Sequence, residues 1–347
     1  MVCCRARVWV GMLCLANQLL ARNAFQHIMD QPALCYKVTH TTTYVYAKNV
    51  VLCHNQARLT PRDLPRQRRV TSVLQVTPQP QRIDSFEDHY GNAVQYFSID
   101  KPHRELVVTA CSEVRCLASQ EKPTLEDSTP WEDVVASLAR GQDRQWLAAH
   151  EFTLSSPFVE TGRFYAQLAR AHCAAGKPVL QIAHDLMMHI YREWEYDKSF
   201  STVHTPLQDV VRHKKGVCQD FAHAFLAGLR SLGLAGRYVS GYLETLPPPG
   251  KEKLVGADAS HAWAEVYCPR LGWVGFDPTN GTIPSSQHII VAVGRDYGDV
   301  MPLNGVIYGG GEAVLKVSVD VARLEAGMVA DARQGGDAKQ AATENQT

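Results

Sequence analysis

The hydrophobic period of this chain changes twice along its length, and that limits the folds open to it. From Cys35 to about Val114 it repeats every two residues: Tyr36, Val38, His40, Thr42, Tyr44 and Tyr46 alternate with Lys37, Thr39, Thr41, Thr43 and Val45. Alternation rich in β-branched and aromatic residues marks half-buried strands. Val70–Val76, Gln81–Phe86, Ala93–Ile99 and Glu105–Val114 continue it, with a turn signal at Asp88–Asn92. From Trp131 the period becomes helical, over Trp131–Leu138, Phe164–Ala175, Val179–Trp194 and Val217–Leu232. It then returns to two at Tyr238–Leu243, Ala262–Tyr267, Trp273–Asp277, Ile289–Val293 and Ala313–Val321. Strands, helices and strands in that order predict an α+β chain of two domains. An antiparallel β-sandwich is expected over residues 34–120, followed at 121–325 by a core of helices packed on an antiparallel sheet.

Composition narrows the function classes. The chain has 347 residues with 35 basic and 35 acidic side chains, so its formal charge is zero. A nucleic-acid binder would usually carry a basic excess, and none is expected as a partner. No apolar run approaches the ~18 residues of a membrane-spanning helix. The ten cysteines form no CxxC spacing and read as free or buried thiols. Residues 1–33 resemble either a short export signal (Arg5 and Arg7, then Val8–Ala16) or an upstream-extended start. The compartment is accordingly cytoplasmic, or exported if residues 1–21 are a true signal. Residues 326–347 lack large apolar side chains beyond Met328 and Val329 and read as a disordered tail.

Three residues suggest chemistry. Cys218 opens a helix after Gly216, where free backbone N–H groups and the helix dipole favour a thiolate. His261 begins a strand and shares a face with Trp263, Glu265 and Tyr267. Asp277 ends the next strand of a plausible hairpin, near enough to orient His261. A thiol at a helix start, an imidazole on a strand and a carboxylate on the next strand fit nucleophilic catalysis with an oriented base. Asp220 reads most simply as a first-turn carboxylate and His223 as structural. His184 and His189 lack the spacing of a zinc helix, Tyr242 is a candidate cleft wall, and Lys214-Lys215 a solvated loop.

The blocks GVCQDFAH (216–223), LGLAGRYVSGY (232–242), SHAWAEVY (260–267) and GWVGFDPTN (272–280) resemble, in order and spacing, the bacterial transglutaminase-like proteins of the papain-related thiol superfamily. The strand-rich first part resembles the β-domain that precedes this core in bacteria. The resemblance, spanning roughly 34–325, implies Cys218 as nucleophile, His261 as general base and acid, and Asp277 as orienting acid. It implies a peptide or protein substrate, no cofactor and no metal, and no calcium switch, since no acidic loop of that pattern is present. A tryptophan upstream of the cysteine serves the oxyanion in animal members; Trp194 and Tyr196 stand in that region in a loose alignment. With Asp220, Tyr242 and Trp263 they complete the candidate substrate contacts. The expected reaction is thiol-dependent acyl transfer, with protease- or amidase-like hydrolysis preferred. Protein-glutamine cross-linking and a catalytically silent peptide-binding module remain the alternatives.

Overall fold

The computed structural model describes residues 33–117, 123–141, 144–244 and 260–324. The signal-like stretch 1–32 and the tail 326–347 lie outside them.

Strand β1 (Ala33–Ala57) organises the N-terminal unit. The alternation legible to Tyr46 does not stop there: the backbone stays extended through Lys48 and Asn49, because this strand is paired on both edges. Its first half pairs with β5 (His103–Leu117) and β13 (Ala313–Leu324), and its second half with β4 (Ala93–Ile99) and β12 (Leu303–Gly309). The register shifts between Val45 and Val50, where the strand passes from one set of partners to the other. With β2 (Gln67–Thr77) on β5 and β3 (Ile83–Glu87) on β4, the result is one seven-stranded antiparallel sheet rather than two separate ones. Both halves contribute to one apolar core that includes Cys53, Leu74, Phe97, Ile99, Leu106 and Val108.

The strand pairing also corrects the boundary expected at residue 325. β12 and β13, the last elements in sequence, belong to the N-terminal sheet and not to the helical core. Alternation alone identifies a strand and says nothing about its partner.

The second unit contains helices α1 (Trp131–Arg140), α2 (Arg144–His150), α3 (Arg163–Arg170), α4 (Val179–Glu193), α5 (Leu207–His213) and α6 (Cys218–Arg230), and the single turn α7 (Tyr297–Val300). Its four-stranded antiparallel sheet runs β10-β9-β8-β11, from β10 (Gly272–Phe276), β9 (Ser260–Cys268), β8 (Gly236–Leu243) and β11 (His288–Gly294). Helix α6 is the centre. It is buried on every side from Asp220 to Arg230, as its run of Phe, Ala, Leu and Gly allows. One side meets β8 and β9, and the other meets α3, α4 and α5. No helix among the described residues is long and apolar enough to cross a membrane.

The outer edge of β11 would expose unpaired peptide groups. Two amide side chains of the N-terminal unit cover it. Asn92 accepts from the Val293 N–H at 2.9 Å and donates to its carbonyl at 2.7 Å. Gln67 does the same for Ile290, at 2.8 and 2.7 Å. A buried Tyr36–Glu244 hydrogen bond of 2.9 Å and a His40–Tyr242 bond of 2.9 Å join the units further along.

Candidate active site

Cys218 is placed by what precedes it. Two short strands, β6 (Glu195–Tyr196) and β7 (Lys215–Gly216), pair in parallel and deliver the chain to α6. Val217 is extended, and Asp220, three residues on, accepts its N–H at 2.8 Å and the Ser201 hydroxyl at 2.5 Å. This is a helix cap in which the N3 carboxylate satisfies an orphan donor. Gly216 is required by it, since a Cβ there would lie 2.5 Å from Asp220 Oδ2.

His261 and Asp277 meet across the β9–β10 hairpin. The register sets Phe276 against Ala264, which puts Asp277 opposite Trp263, two residues short of His261. The side chains span that offset, with His261 Nε2 2.7 Å from Asp277 Oδ2. Asp277 is fully buried. Its Oδ1 accepts the N–H groups of Thr279 and Asn280 at 3.0 and 3.2 Å, an Asx turn that the DPTN sequence favours. Its Oδ2 also accepts Asn280 Nδ2 at 2.7 Å and faces His288 Nε2 at 3.2 Å. Because Nε2 of His261 is taken by Asp277, Nδ1 is the nitrogen left for Cys218, which lines the same cleft.

Electrostatics follow from this packing. Burial pulls the His261 pKa down, but hydrogen bonds to Asp277 and Cys218 and the charge of both raise it to about 10. Burial likewise opposes ionisation of Asp277; the donors from His261, His288 and Asn280 outweigh it and hold the carboxyl well below its usual range.

Cys218 and His261 open on a cleft of about 660 Å³, with Asp277 buried behind them. Tyr196, Ser260, Thr279, Asn280, Gln287 and His288 are among its walls, with Glu244 at one side held by Arg323 at 2.6 Å. Tyr196 is half exposed there. Four other expected contacts do not line the cleft. Asp220 is spent on the helix cap and borders a separate cavity of about 320 Å³. Trp194 packs edge-on against Phe221 in the core. Tyr242 is buried against His40. Trp263 lies fully buried beneath the site, its ring stacked 5.9 Å from His261. Aromatic residues on core-facing strands are usually core, and these are. Lys214 and Lys215 pair with Glu193 and Glu195 at 3.0 and 2.8 Å. His223, buried, accepts the Tyr297 N–H at 3.1 Å.

Sequence reasoning missed Asn280 and His288. Asn280 stood inside the DPTN block and could have been found from the Asx-turn pattern. His288 heads the apolar run of β11 with no local signal; only the fold brings it to Asp277.

His261, Asp277 and His288 present three potential ligand atoms within 4.8 Å of one another. The donor set does not fit a metal well. Ser285 N–H donates to His288 Nδ1 at 3.3 Å, which puts the ring proton on Nε2, facing Asp277. Coordination through that Nε2 would need the proton on Nδ1 instead. The cluster is hydrogen-bonded as it stands.

Comparison with known proteins agrees with this architecture. Residues 36–115 match the bacterial transglutaminase-like N-terminal region, and residues 166–278 match the transglutaminase-like superfamily. An uncharacterized protein of Mycobacterium tuberculosis is 40% identical over 299 residues, 84% of this chain and 93% of its own. A protein-glutamine gamma-glutamyltransferase of Pseudomonas aeruginosa is 38% identical over only 72 residues, 20% of this chain and 11% of its own. Among solved structures, a candidate cysteine protease from Cytophaga hutchinsonii superposes with a TM-score of 0.66 at 20% identity, covering 85% of this chain and 92% of its own.

Proposed function

The chain belongs to the transglutaminase-like superfamily, and from that premise we propose that it is a thiol-dependent acyl-transfer enzyme acting on carboxamide or peptide carbonyls. One observation carries the proposal: a single imidazole, His261, is hydrogen-bonded at Nε2 to a buried carboxylate and shares the wall of an open cleft with a thiol, Cys218.

The chemistry balances as follows. Cys218 Sγ, as thiolate, attacks the carbonyl carbon, and the C=O electron pair moves to oxygen. The backbone N–H of Cys218, at a helix start without a carbonyl to bond, is a donor suited to that oxyanion. As the C–N bond breaks, the departing amine takes a proton from His261 Nδ1, leaving an acyl-thioester. Water or a primary amine then adds, His261 takes its proton, and the thiolate leaves. Asp277 holds the imidazole in orientation and stabilises the imidazolium.

Hydrolysis is the preferred outcome, as in the protease-like bacterial members that the sequence resembles. The short similarity to the Pseudomonas aeruginosa gamma-glutamyltransferase favours an amine as the second reading. Acid-quenched intact mass spectrometry with glutamine- and asparagine-containing peptides tests both. An acyl adduct on wild type, absent from Cys218→Ala, supports the thioester; no adduct and no turnover across the library contradicts it. Added primary amine then separates the acceptors, since incorporation exceeding hydrolysis makes the protein a cross-linker.

A further inference from the structure

We propose that His288 is a positioning residue, a second imidazole that fixes Asp277 for His261. The inference rests on the triad reading and deepens it.

His288 is buried and reaches the cleft only at its wall. Its Nδ1 accepts the Ser285 N–H at 3.3 Å, and its own backbone N–H returns to the Ser285 carbonyl at 3.0 Å. That closed pair fixes the neutral tautomer with the proton on Nε2, 3.2 Å from Asp277 Oδ2. The ring packs edge-on against Trp263 at 5.2 Å. The strand that carries it is gripped by Gln67 two residues on, at Ile290. Each contact removes a freedom that the ring would otherwise have.

The oxygen it addresses is the one that His261 uses. Without His288, Oδ2 keeps the His261 donor from β9 and the Asn280 donor from the turn that follows Asp277. A neutral donor from β11 holds the group from the opposite strand and adds no charge to compete with the imidazolium. Of the titratable groups nearby, His261 faces Asp277 from β9, Cys218 lies beyond His261, and Glu244 at the end of β8 is bound to Arg323 and Tyr36.

The test is the pH dependence of iodoacetamide alkylation at Cys218, read by mass spectrometry, which needs no substrate. His288→Leu keeps the volume and removes the donor. It is expected to raise the pH of half-maximal alkylation by about half to one unit, a part of the roughly one to two units that a hydrogen bond to a charged group is worth, since the effect reaches Cys218 through Asp277 and His261. His288→Gln, whose amide nitrogen can replace Nε2–H, should restore the wild-type profile. In an Asp277→Asn background, His288→Leu should add nothing. An unshifted His288→Leu profile, failure of Gln to rescue, or an equal further shift in the Asp277→Asn background would each overturn the proposal. If instead His261→Ala leaves Cys218 alkylation unchanged, the triad reading itself has failed and this inference falls with it, a signature distinct from the others.

Discussion

Replacing Asn92 with alanine should cost more than most surface-loop changes, because Asn92 stands in for a strand. Its side chain is fully buried and bonds both peptide groups of Val293, which is itself 2% exposed. Truncation leaves one N–H and one C=O at the edge of β11 with no partner and little access to water. At about 1–3 kcal/mol for each buried polar group left unsatisfied, the expected loss is about 2–6 kcal/mol. Arg62 also loses the Asn92 oxygen but keeps the Tyr90 carbonyl at 2.9 Å, so its contribution is small. Urea unfolding followed by circular dichroism measures the change, with the denaturant slope unchanged if the transition stays two-state. Gln67→Ala removes the same two bonds at Ile290, which is only partly buried, and should cost less. A loss below about 1 kcal/mol for Asn92→Ala, or a larger loss for Gln67→Ala, would refute the argument that these amides seal the edge.

Three further outcomes follow from the same geometry. Asp277→Asn should slow turnover of any substrate by about a hundredfold or more, by analogy with other orienting acids; a near-wild-type rate removes Asp277 from the site. Gly216→Ala forces a Cβ against Asp220 and displaces its carboxylate from the Val217 N–H. It should cost about 1 kcal/mol for the lost cap and slow Cys218 alkylation, as thermal melting and mass spectrometry would detect. Acid sensitivity should come from two buried neutral histidines. Burial depresses His40 to about 4 and His223 to about 3, against about 6.5 when unfolded. The unfolded chain therefore binds more protons between those limits, and stability falls as pH drops from about 6.5 toward 4. His40→Gln should flatten the dependence of the urea midpoint on pH over that window; an unchanged slope would exclude His40 as a cause.

The sequence was most legible where the period was strong. Helices α1, α4 and α6 and strands β4, β8 and β9 lie within a few residues of their expected spans, because each has one face or a whole surface in the core. Helix α5, seven residues with only Val210 and Val211 buried, has too short a period to detect. Strand β12 escaped for a related reason: Val306, Ile307 and Tyr308 are all exposed, so no face alternates. The candidate triad could be read because helix start, strand start and hairpin end are each local features. His288 and the amides Gln67 and Asn92 could not, since each acts on a partner that only the tertiary fold supplies, 11, 223 and 201 residues away. The aromatic candidates failed in the opposite direction. Trp194, Tyr242 and Trp263 are near the site in sequence, but their apolar area is worth more in the core than at a wet cleft.

The account depends most on one contact, between the Cys218 thiol and the His261 imidazole. The direct measurement is the rate of iodoacetamide alkylation at Cys218 against pH, for wild type and His261→Ala, with the label located by mass spectrometry. An imidazolium sustained to about pH 10 is the counterion a thiolate needs. Wild-type Cys218 should therefore react well below pH 8, and His261→Ala should lose that reactivity. Reaction only near ~8.5, as for an ordinary thiol, or identical profiles for the two proteins, would contradict the pair.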